Sequence, residues 1–403
     1  MRDAGIVIVG GGMAAARACI SLRSLDYAGP IAMVSEEKLL PYDRPPLSKA
    51  SIVDEAARAP VLLLDESIIA SLKVDVKLGK HVASINRGEK SITLNDGNKI
   101  PYVKLLLATG AKPRKLNCPG GEFAVTLRDY EDAQLLREKF QVGKRIVVIG
   151  GGFIGLELAA SAVKLGCRVT LIEAQPRILM RGVPEPIAKI VHDAHIAHDV
   201  EMIIGTGISH LTASAVHLTD GREIIADTII AGIGASPETK LAADAGLTID
   251  NGIACNGQMQ TSDPDIYAAG DCASFILGDR RVRLEAWRSA QEQAATAAAN
   301  MLGQNKTHNN VPWFWSDQYD LSLQIAGQAD QGLVTISRVP VEGALVLFHM
   351  ADDGTIKGAS GIGIGNAIGR DIKVAELLIA KNAKPSPEIL GDPDQPLKAL
   401  LKG

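Results

Sequence analysis

The sequence predicts an α/β protein with two parallel-sheet domains of the doubly wound type and a smaller α+β domain at the C-terminus. A β-branched strand, a glycine-rich turn and a helical pattern follow one another near residue 10, and the same succession returns near residue 150. The chain has 403 residues, and at roughly 100–200 residues per domain this length accommodates two or three domains.

The composition restricts the class of protein. Charged residues are 22% and hydrophobic residues 46% of the chain, which is typical of a globular protein rather than a disordered one. The net charge of −4 gives no overall basic field, so we expect no nucleic-acid partner. No apolar run approaches the ~20 residues that cross a bilayer. The first apolar strand begins at Ile6, which leaves no space for an export signal, so we expect a cytoplasmic protein without a membrane partner.

The first glycine turn follows the apolar strand Ile6–Val9 and precedes a helical pattern over residues 16–25. Gly10 permits the tight turn, Gly12 lets the backbone approach a pyrophosphate, and the small Ala15 lets the helix pack on the strand. The N-terminus of the helix then faces the phosphates. This arrangement predicts a Rossmann-like dinucleotide site.

The second strand of this segment, Ile31–Val34, ends beside two acids. Glu36 follows Gly10 by 26 residues, a suitable distance for a carboxylate that binds an adenosine ribose. Its neighbour Glu37 is the alternative.

The same pattern returns in the second third of the chain and predicts a second dinucleotide site. The second strand of this pattern is followed by Glu173, which lies 23 residues after the first glycine of the turn. We expect Glu173 to bind the adenosine ribose of NADH and to repel the 2′-phosphate of NADPH. Arg177 and Arg181 lie just downstream and leave NADPH as the alternative. The members of the pattern are the strand Arg145–Ile149, Gly150, Gly152, Ile154 and Gly155 of the turn, the helix 156–165 and the strand Val169–Ile172.

A third motif, Thr261–Asp271, resembles the second FAD motif of the pyridine nucleotide-disulfide oxidoreductase superfamily, in which the aspartate contacts the flavin at the start of a helix. Two apolar strands that end in small residues, 105–110 and 229–234, stand where the chain would leave each nucleotide domain. We therefore expect an FAD-binding domain of residues 1–110 and 236–317, an inserted NAD-binding domain of residues 111–235 and a C-terminal domain of residues 318–403.

The string Pro41–Lys49 contains too many prolines for a helix or a central strand before Leu47, so we expect a rigid loop that carries Arg44 and Lys49. With the glycine turns, Asp271 and Trp315, this string resembles the oxygenase-coupled ferredoxin reductases of the same superfamily, across essentially the whole chain. The resemblance implies a glutathione-reductase-like architecture with bound FAD. It also implies hydride transfer from NADH to FAD and two single-electron transfers to a [2Fe–2S] ferredoxin.

Carried over by position, the resemblance assigns site residues. Lys49 is implied to lie beside the flavin and Glu157 to face the nicotinamide, where the two would form an ion pair. A carboxylate near the start of a helix is also simply favoured by the helix dipole, so without the resemblance the role of Glu157 stays open. The implied FAD residues are Gly10, Gly12, Ala15, Glu36, Arg44, Lys49, Val82, Ala108, Thr109, Gly110, Arg128, Asp271, Glu285, Trp287 and Trp315, and the implied NAD residues are Gly150, Gly152, Ile154, Gly155, Glu157, Glu173 and Gly234.

The five cysteines are scattered and contain no Cys-x-x-Cys pair, so we expect reduced, mostly buried thiols and electrons that leave the flavin directly. A rubredoxin, a quinone-like small molecule or an apoptosis-inducing-factor-like signalling role remain alternatives to the ferredoxin. The signalling role predicts a targeting segment and an interaction tail, and we expect neither. We expect a monomer or weak homodimer.

Two further groups of residues allow more than one interpretation. His192, His195 and His198 are spaced along one predicted helix face without a Cys or close carboxylate that would complete a metal set, so we expect a solvated face and no metal. The arginines that follow Asp271 either dock an acidic ferredoxin or are solvated surface charges; they are Arg280, Arg281, Arg283 and Arg288.

Overall fold

The computed structural model describes residues 4–402. The described chain forms two compact units. Unit 1 contains the residues up to Asp43, Pro60–Lys112 and Ala235–Asn310. Unit 2 contains Arg44–Ala59, Pro113–Gly234 and the residues from Val311 onward. The three-domain division expected from the sequence stays a prediction.

The helices of both units are numbered along the chain. They are α1 (Met13–Ser24), α2 (Ala50–Val53), α3 (Glu66–Leu72), α4 (Tyr130–Lys139), α5 (Phe153–Lys164), α6 (Glu185–Ala197), α7 (Lys240–Asp244), α8 (Trp287–Met301), α9 (Gly369–Ala380) and α10 (Pro387–Gly391). Short 3-10 helices cover Pro45–Ser48, Gly121–Phe123, Ala329–Gln331 and Leu397–Lys402.

The strands are numbered in the same way. They are β1 (Gly5–Val9), β2 (Ile31–Val34), β3 (Val74–Lys77), β4 (Val82–Asn86), β5 (Ser91–Leu94), β6 (Lys99–Leu107), β7 (Ala111–Pro113), β8 (Ala124–Val125), β9 (Arg145–Ile149), β10 (Arg168–Glu173), β11 (Glu201–Ile204), β12 (Ile208–Leu211), β13 (Ala215–Leu218), β14 (Glu223–Ile225), β15 (Thr228–Ala231), β16 (Ala235–Pro237), β17 (Ile253–Ala254), β18 (Ile266–Ala268), β19 (Ala273–Leu277), β20 (Arg280–Val282), β21 (Trp313–Gln318), β22 (Leu321–Gly327), β23 (Val334–Arg338), β24 (Leu345–Met350) and β25 (Ile356–Ile364).

The main sheet of unit 1 has the strand order β3-β2-β1-β6-β5-β4, and β18 also pairs with β6. Strands β3, β2, β1, β6 and β18 run parallel, whereas β5 pairs antiparallel with β6 and β4 pairs antiparallel with β5. The chain passes from β1 through α1 to β2 on one side, and β6 lies on the other side of β1. The strand order therefore reverses at β1, where a nucleotide is expected to bind outside the carboxyl end of the strand.

Unit 2 contains a second parallel sheet, with the order β11-β10-β9-β15-β8. Here β9 is the strand at which the order reverses, because β10 and β15 lie on opposite sides of it. An antiparallel sheet with the order β21-β22-β25-β24-β23 follows, and α9 packs against it. Two parallel sheets of the same type and a C-terminal α+β segment confirm the predicted fold class.

Several element boundaries differ from the sequence-based expectations. The helices that follow the two glycine turns start three residues earlier than expected, α1 at Met13 and α5 at Phe153. Each begins directly after the N-capping glycine of its turn. The proline string is not a loop throughout, since residues 45–48 form a 3-10 helix that proline favours at its first position. Within residues 4–402 no helix is long and apolar enough to cross a membrane.

Candidate functional site

The first glycine turn joins β1 to α1 in unit 1. Gly10 has φ +133°, and a side chain there would overlap the carbonyl oxygen of Ala108. The backbone N–H of Gly10 donates to the carbonyl of Val34 at 2.8 Å. Gly12 caps the helix and has no side chain to bond to the N–H groups of the first turn. A helix start of this kind, with backbone N–H groups and a glycine cap, fits a pyrophosphate.

Asp271 lies beside this turn. A methyl group on Gly270 would lie 3.3 Å from Cβ of Ala14, in the first turn of α1. The N–H of Gly270 donates to the side chain of Gln293 at 2.8 Å, which holds the backbone against α8. The structure thus brings the two predicted FAD motifs together. It corrects one expectation, because the strand β19 follows Asp271 and the next helix of the chain, α8, begins only at Trp287.

The predicted ribose acid Glu36 stands just after β2, where its side chain is 58% exposed. It contacts Nδ1 of His81, which precedes Val82 at the start of β4. Two residues assigned to FAD therefore lie near each other. The histidine between them was missed by sequence reasoning, because a single His in a polar segment carries no motif.

The other expected FAD residues of unit 1 lie after the end of β6 and at or before the start of α8. The hydroxyl of Thr109 donates to the carbonyl of Glu238 at 2.6 Å, and Gly110 has φ +71°. The indole N–H of Trp287 donates to the carboxylate of Asp43 at 2.6 Å. Trp287 is thereby fixed to the proline string, through an aspartate that sequence reasoning did not select. Ala108 is buried directly after β6, and Glu285 pairs with Arg283 at 2.6 Å.

The second glycine turn joins β9 to α5 in unit 2. Gly150 has φ +109°, and a side chain on Gly155 would overlap the carbonyl oxygen of Gly150. Gly152 caps α5 and has no side chain to bond to the N–H groups of its first turn. Ile154 is 46% exposed in the first turn of this helix. The turn has the same features as the first and fits a second dinucleotide.

Glu173 at the end of β10 bonds to the second turn. One carboxylate oxygen accepts the N–H of Gly151 at 2.7 Å and the other accepts the N–H of Gln175 at 2.7 Å. Each oxygen retains a further lone pair for a ribose hydroxyl. Arg177 donates to the backbone carbonyls of residues 178, 179 and 183, so its guanidinium is held by its own loop. Arg181 lies beside Gly234.

Glu157 on α5 is the centre of a buried polar cluster. Its side chain is only 8% exposed and forms an ion pair with Nζ of Lys49 at 2.9 Å. The hydroxyl of Ser48 donates to the same carboxylate oxygen, and the hydroxyl of Ser316 donates to the other at 2.6 Å. The carboxylate is therefore compensated by one cation and two hydroxyl groups. Neither serine was selected from the sequence, because serine has no distinguishing pattern.

The other expected flavin residues of unit 2 lie in two places. Arg44 donates to the backbone carbonyl of Arg128 at 2.7 Å, so two residues assigned to FAD are in direct contact. Trp315 stacks on Trp313 with ring centroids 5.3 Å apart. Because side chains alternate along a strand, Trp315 and Ser316 lie on opposite faces of β21.

The three histidines lie on α6 and at its C-terminal end. The expectation that they form a solvated face is wrong for His195. His195 is fully buried, while His198 is exposed and stacks on Tyr319. Burial lowers the pKa of His195 to about 4, so it is neutral at physiological pH. Within the described residues no group of three or more His, Cys, Asp or Glu side chains is arranged to hold a metal ion.

Three of the arginines after Asp271 are engaged inside unit 1. Arg281 donates to the carbonyls of Cys255 and Ser274 and pairs with Asp250. Arg283 and Arg288 pair with glutamates. Docking by this cluster stays a prediction, but charge reversal at Arg281 would also break internal contacts.

All five cysteines are free. Burial raises the pKa of every one of these thiols, to about 12 for Cys19 and Cys255. A buried thiol with a raised pKa stays protonated, whereas exchange with a disulfide substrate requires a thiolate.

Comparison with known families identifies the architecture. The model of the pyridine nucleotide-disulphide oxidoreductase family matches residues 4–294. The chain belongs to this family. A second model, the reductase C-terminal domain, matches residues 313–401. A member of the pyridine nucleotide-disulphide oxidoreductase family uses FAD and NAD(H), so the chain is an oxidoreductase with these two cofactors.

Relatives within the family match the chain along most or all of its length. The ferredoxin–NAD(+) reductase component of the anthranilate 1,2-dioxygenase system of Burkholderia cepacia is 39% identical, with 98% of each chain covered. A rubredoxin–NAD(+) reductase of Pseudomonas putida is 40% identical over 84% of this chain and 91% of its own. The reductase in the covalent putidaredoxin reductase–putidaredoxin complex is 33% identical with a TM-score of 0.93, covering 100% of this chain and 99% of its own.

Proposed function

We propose that this chain transfers electrons from NADH through FAD to a [2Fe–2S] ferredoxin that supplies an oxygenase. The observation that carries the proposal is the full-length likeness to ferredoxin reductases, including the C-terminal segment, in a chain whose two parallel sheets each carry a glycine turn that leads into a helix.

Bound FAD supplies a flavin that accepts a hydride and releases electrons one at a time. The turn at Gly10 would hold the pyrophosphate of FAD and Asp271 its ribityl chain, since the turn follows β1, where the strand order reverses, and Gly270 lies against the first turn of α1. Glu36 would bind the adenosine ribose. The turn at Gly150 and the carboxylate of Glu173 would hold NADH.

Lys49 and Glu157 would act at the reacting rings. The buried carboxylate is held by three side chains, so its position is fixed before the nicotinamide arrives. Preorganised charge of this kind assists hydride transfer because it needs no rearrangement during the reaction. The ion pair also holds the ammonium group of Lys49 in place.

The free cysteines support direct transfer from the flavin to the acceptor. A disulfide substrate requires a reactive thiolate close to the flavin, and the pKa of each of the five thiols is raised by burial. A one-electron protein acceptor requires no such thiol.

The experiment uses the purified, FAD-loaded protein with NADH, a [2Fe–2S] ferredoxin such as putidaredoxin, and cytochrome c. We expect cytochrome c reduction to depend on the ferredoxin, while ferricyanide is reduced without it. Flavin that NADH does not reduce would contradict the enzyme class. Flavin reduction without any ferredoxin dependence would contradict only the acceptor.

A rubredoxin is the second candidate acceptor, favoured by the 40% identity to a rubredoxin–NAD(+) reductase. Replacing the ferredoxin by rubredoxin in the same assay separates the two, since the better acceptor gives the higher rate at equal concentration. The cytoplasmic location and the state of monomer or weak homodimer stay predictions.

A further inference from the structure

A line of buried hydrogen bonds ends at the Glu157 carboxylate. Tyr319 and His195 are joined by the phenol oxygen and Nδ1 at 2.9 Å, and Nε2 of His195 lies 2.9 Å from Oε1 of Gln318. The side-chain nitrogen of Gln318 donates to Oγ of Ser316 at 3.2 Å. Ser316 donates to Glu157 at 2.6 Å. These four residues, Tyr319, His195, Gln318 and Ser316, are called the Glu157 relay.

The fold places the members of the relay on β21, on α6 and, for Tyr319, in the turn after β21. Ser316 and Gln318 are two residues apart on β21, so their side chains lie on the same face of the strand. His195 is on α6. The relay therefore connects α5, β21 and α6 through side chains that are all at least half buried.

The direction of every bond is determined by the chemistry of its ends. Glu157 is the carboxylate of an ion pair and only accepts, so Ser316 must donate to it. The oxygen of Ser316 then accepts from the nitrogen of Gln318, which leaves the amide oxygen to accept from Nε2 of His195. Burial lowers the pKa of His195 to about 4, so the ring is neutral and its Nδ1 accepts from Tyr319.

All four bonds therefore point the same way, toward the carboxylate. Aligned hydrogen bonds polarise one another, so each donor in such a line is stronger than it would be alone. The line also removes the rotational freedom of Gln318, because its amide is held at both ends.

Tyr319 at the outer end is held in an unusual backbone conformation. Its φ of +57° lies in the left-handed region, which a bulky residue rarely adopts. Its ring stacks on His198 with centroids 3.7 Å apart and an interplanar angle of 9°. The turn after β21 thus holds Tyr319 against the histidines of α6 in a strained backbone conformation. The contacts of its hydroxyl group and ring offset the cost of that conformation.

We propose that His195 and Gln318 are positioning residues for hydride transfer, which act through Ser316 to hold the Glu157 carboxylate in its reactive orientation. This inference rests on the proposed function, in which Glu157 faces the nicotinamide. His195 acts without contacting either cofactor.

The test compares two substitutions of His195 with a matched buried histidine. His195→Leu removes both ring nitrogens, while His195→Gln keeps an N–H that can reach Gln318. His349→Leu is the control, because His349 is 4% exposed, its pKa is also lowered to about 4 by burial, and it bonds to Ser360 outside the relay.

The measurement is single-turnover reduction of the bound flavin over a range of NADH concentrations. We expect the limiting rate of His195→Leu to fall about tenfold, because small displacements of a catalytic group reduce rates steeply. The NADH dissociation constant should change far less than the rate, since the change affects the transition state rather than ground-state binding. His195→Gln should recover most of the rate, and His349→Leu should keep the wild-type rate.

A second variant covers the case in which His195→Leu does not fold. Gln318→Met interrupts the relay on β21 with a side chain of similar length, and we expect the same loss of limiting rate with FAD retained. Equal limiting rates in Gln318→Met and wild type, or equal losses in His195→Leu and His349→Leu, would overturn the inference and leave the proposed function standing. Wild-type flavin that NADH fails to reduce would overturn both.

Discussion

Nζ of Lys49 lies 2.9 Å from Oε2 of Glu157, although the two residues are more than one hundred positions apart in the chain. The carboxylate is nearly inaccessible to water. Removing one partner of such a pair leaves the other charge buried and uncompensated, which is costlier than removing both. The pair is therefore suited to fix two charged groups at the proposed site of hydride transfer.

Lys49→Met tests the catalytic role of this ion pair. We expect flavin reduction by NADH to slow about tenfold or more, since a fixed charge at the reacting rings is lost. FAD should remain bound and can be measured by flavin absorbance after gel filtration. Lys77→Met is the control, because its ion pair with Asp75 at 3.0 Å has the same lysine exposure, 25% against 26%. Loss of FAD from Lys49→Met alone would instead make Lys49 a structural residue.

Glu173 should determine the choice of nicotinamide nucleotide. We expect kcat/KM with NADH to exceed that with NADPH by about 10–100-fold, because the carboxylate repels the 2′-phosphate and Arg177 is held by backbone carbonyls. In Glu173→Gln this ratio should fall, while Glu201→Gln on the neighbouring strand should leave it unchanged. Equal wild-type kcat/KM values for NADH and NADPH would show that Glu173 does not select the nucleotide, with Arg181 the residue to test next.

Buried histidines should make stability decrease in acid. Burial lowers the pKa of His195, His308 and His349 from 6.5 to about 4. The unfolded chain therefore binds these protons at a higher pH than the folded chain, so stability is complete above 6.5 and falls as the pH drops from 6.5 toward 4. Each buried histidine should lower the free energy of unfolding by about 1 kcal/mol when the pH falls from about 7.5 to 5.5.

The unfolding temperature of the FAD-loaded protein at those two pH values measures this loss. His349→Gln removes one titrating group, so its unfolding temperature should fall less than that of the wild type. An identical fall in His349→Gln would contradict the assignment of the loss to buried histidines.

Arg338 should hold the C-terminal segment to the antiparallel sheet. Its side chain is 5% exposed, pairs with Asp371 at 3.0 Å and donates to the backbone carbonyls of residues 390, 392, 393 and 395. Arg338→Met leaves these acceptors without their donor, and we expect a loss of about 3 kcal/mol of stability.

Limited proteolysis reports on this change, since cleavage near residues 386–396 should become faster in Arg338→Met. Arg370→Met, which changes an exposed arginine on α9, is the control and should be cleaved like the wild type. Unaltered cleavage in Arg338→Met would mean that packing of Leu390 and Leu397 alone holds the segment.

The glycine turns were readable from the sequence because their requirement is local. A residue such as Gly10 must lack a side chain where the backbone of a neighbouring strand passes within contact, and the succession of strand, glycine and helix records that requirement in a few consecutive letters. The fold class follows from that pattern. The two proposed nucleotide sites rest on the same pattern, and the proposed role of Glu173 rests on its distance along the chain.

The surroundings of Glu157 and the burial of His195 were decided only by the tertiary structure. Ser48 and Ser316 reach Glu157 from 109 and 159 residues away, and Gln318 reaches His195 from 123 residues away. The spacing of the histidines on α6 says which face they share, but not which element covers that face. Burial and hydrogen bonding depend on partners that the chain brings together from remote positions, so no local pattern around His195 records them.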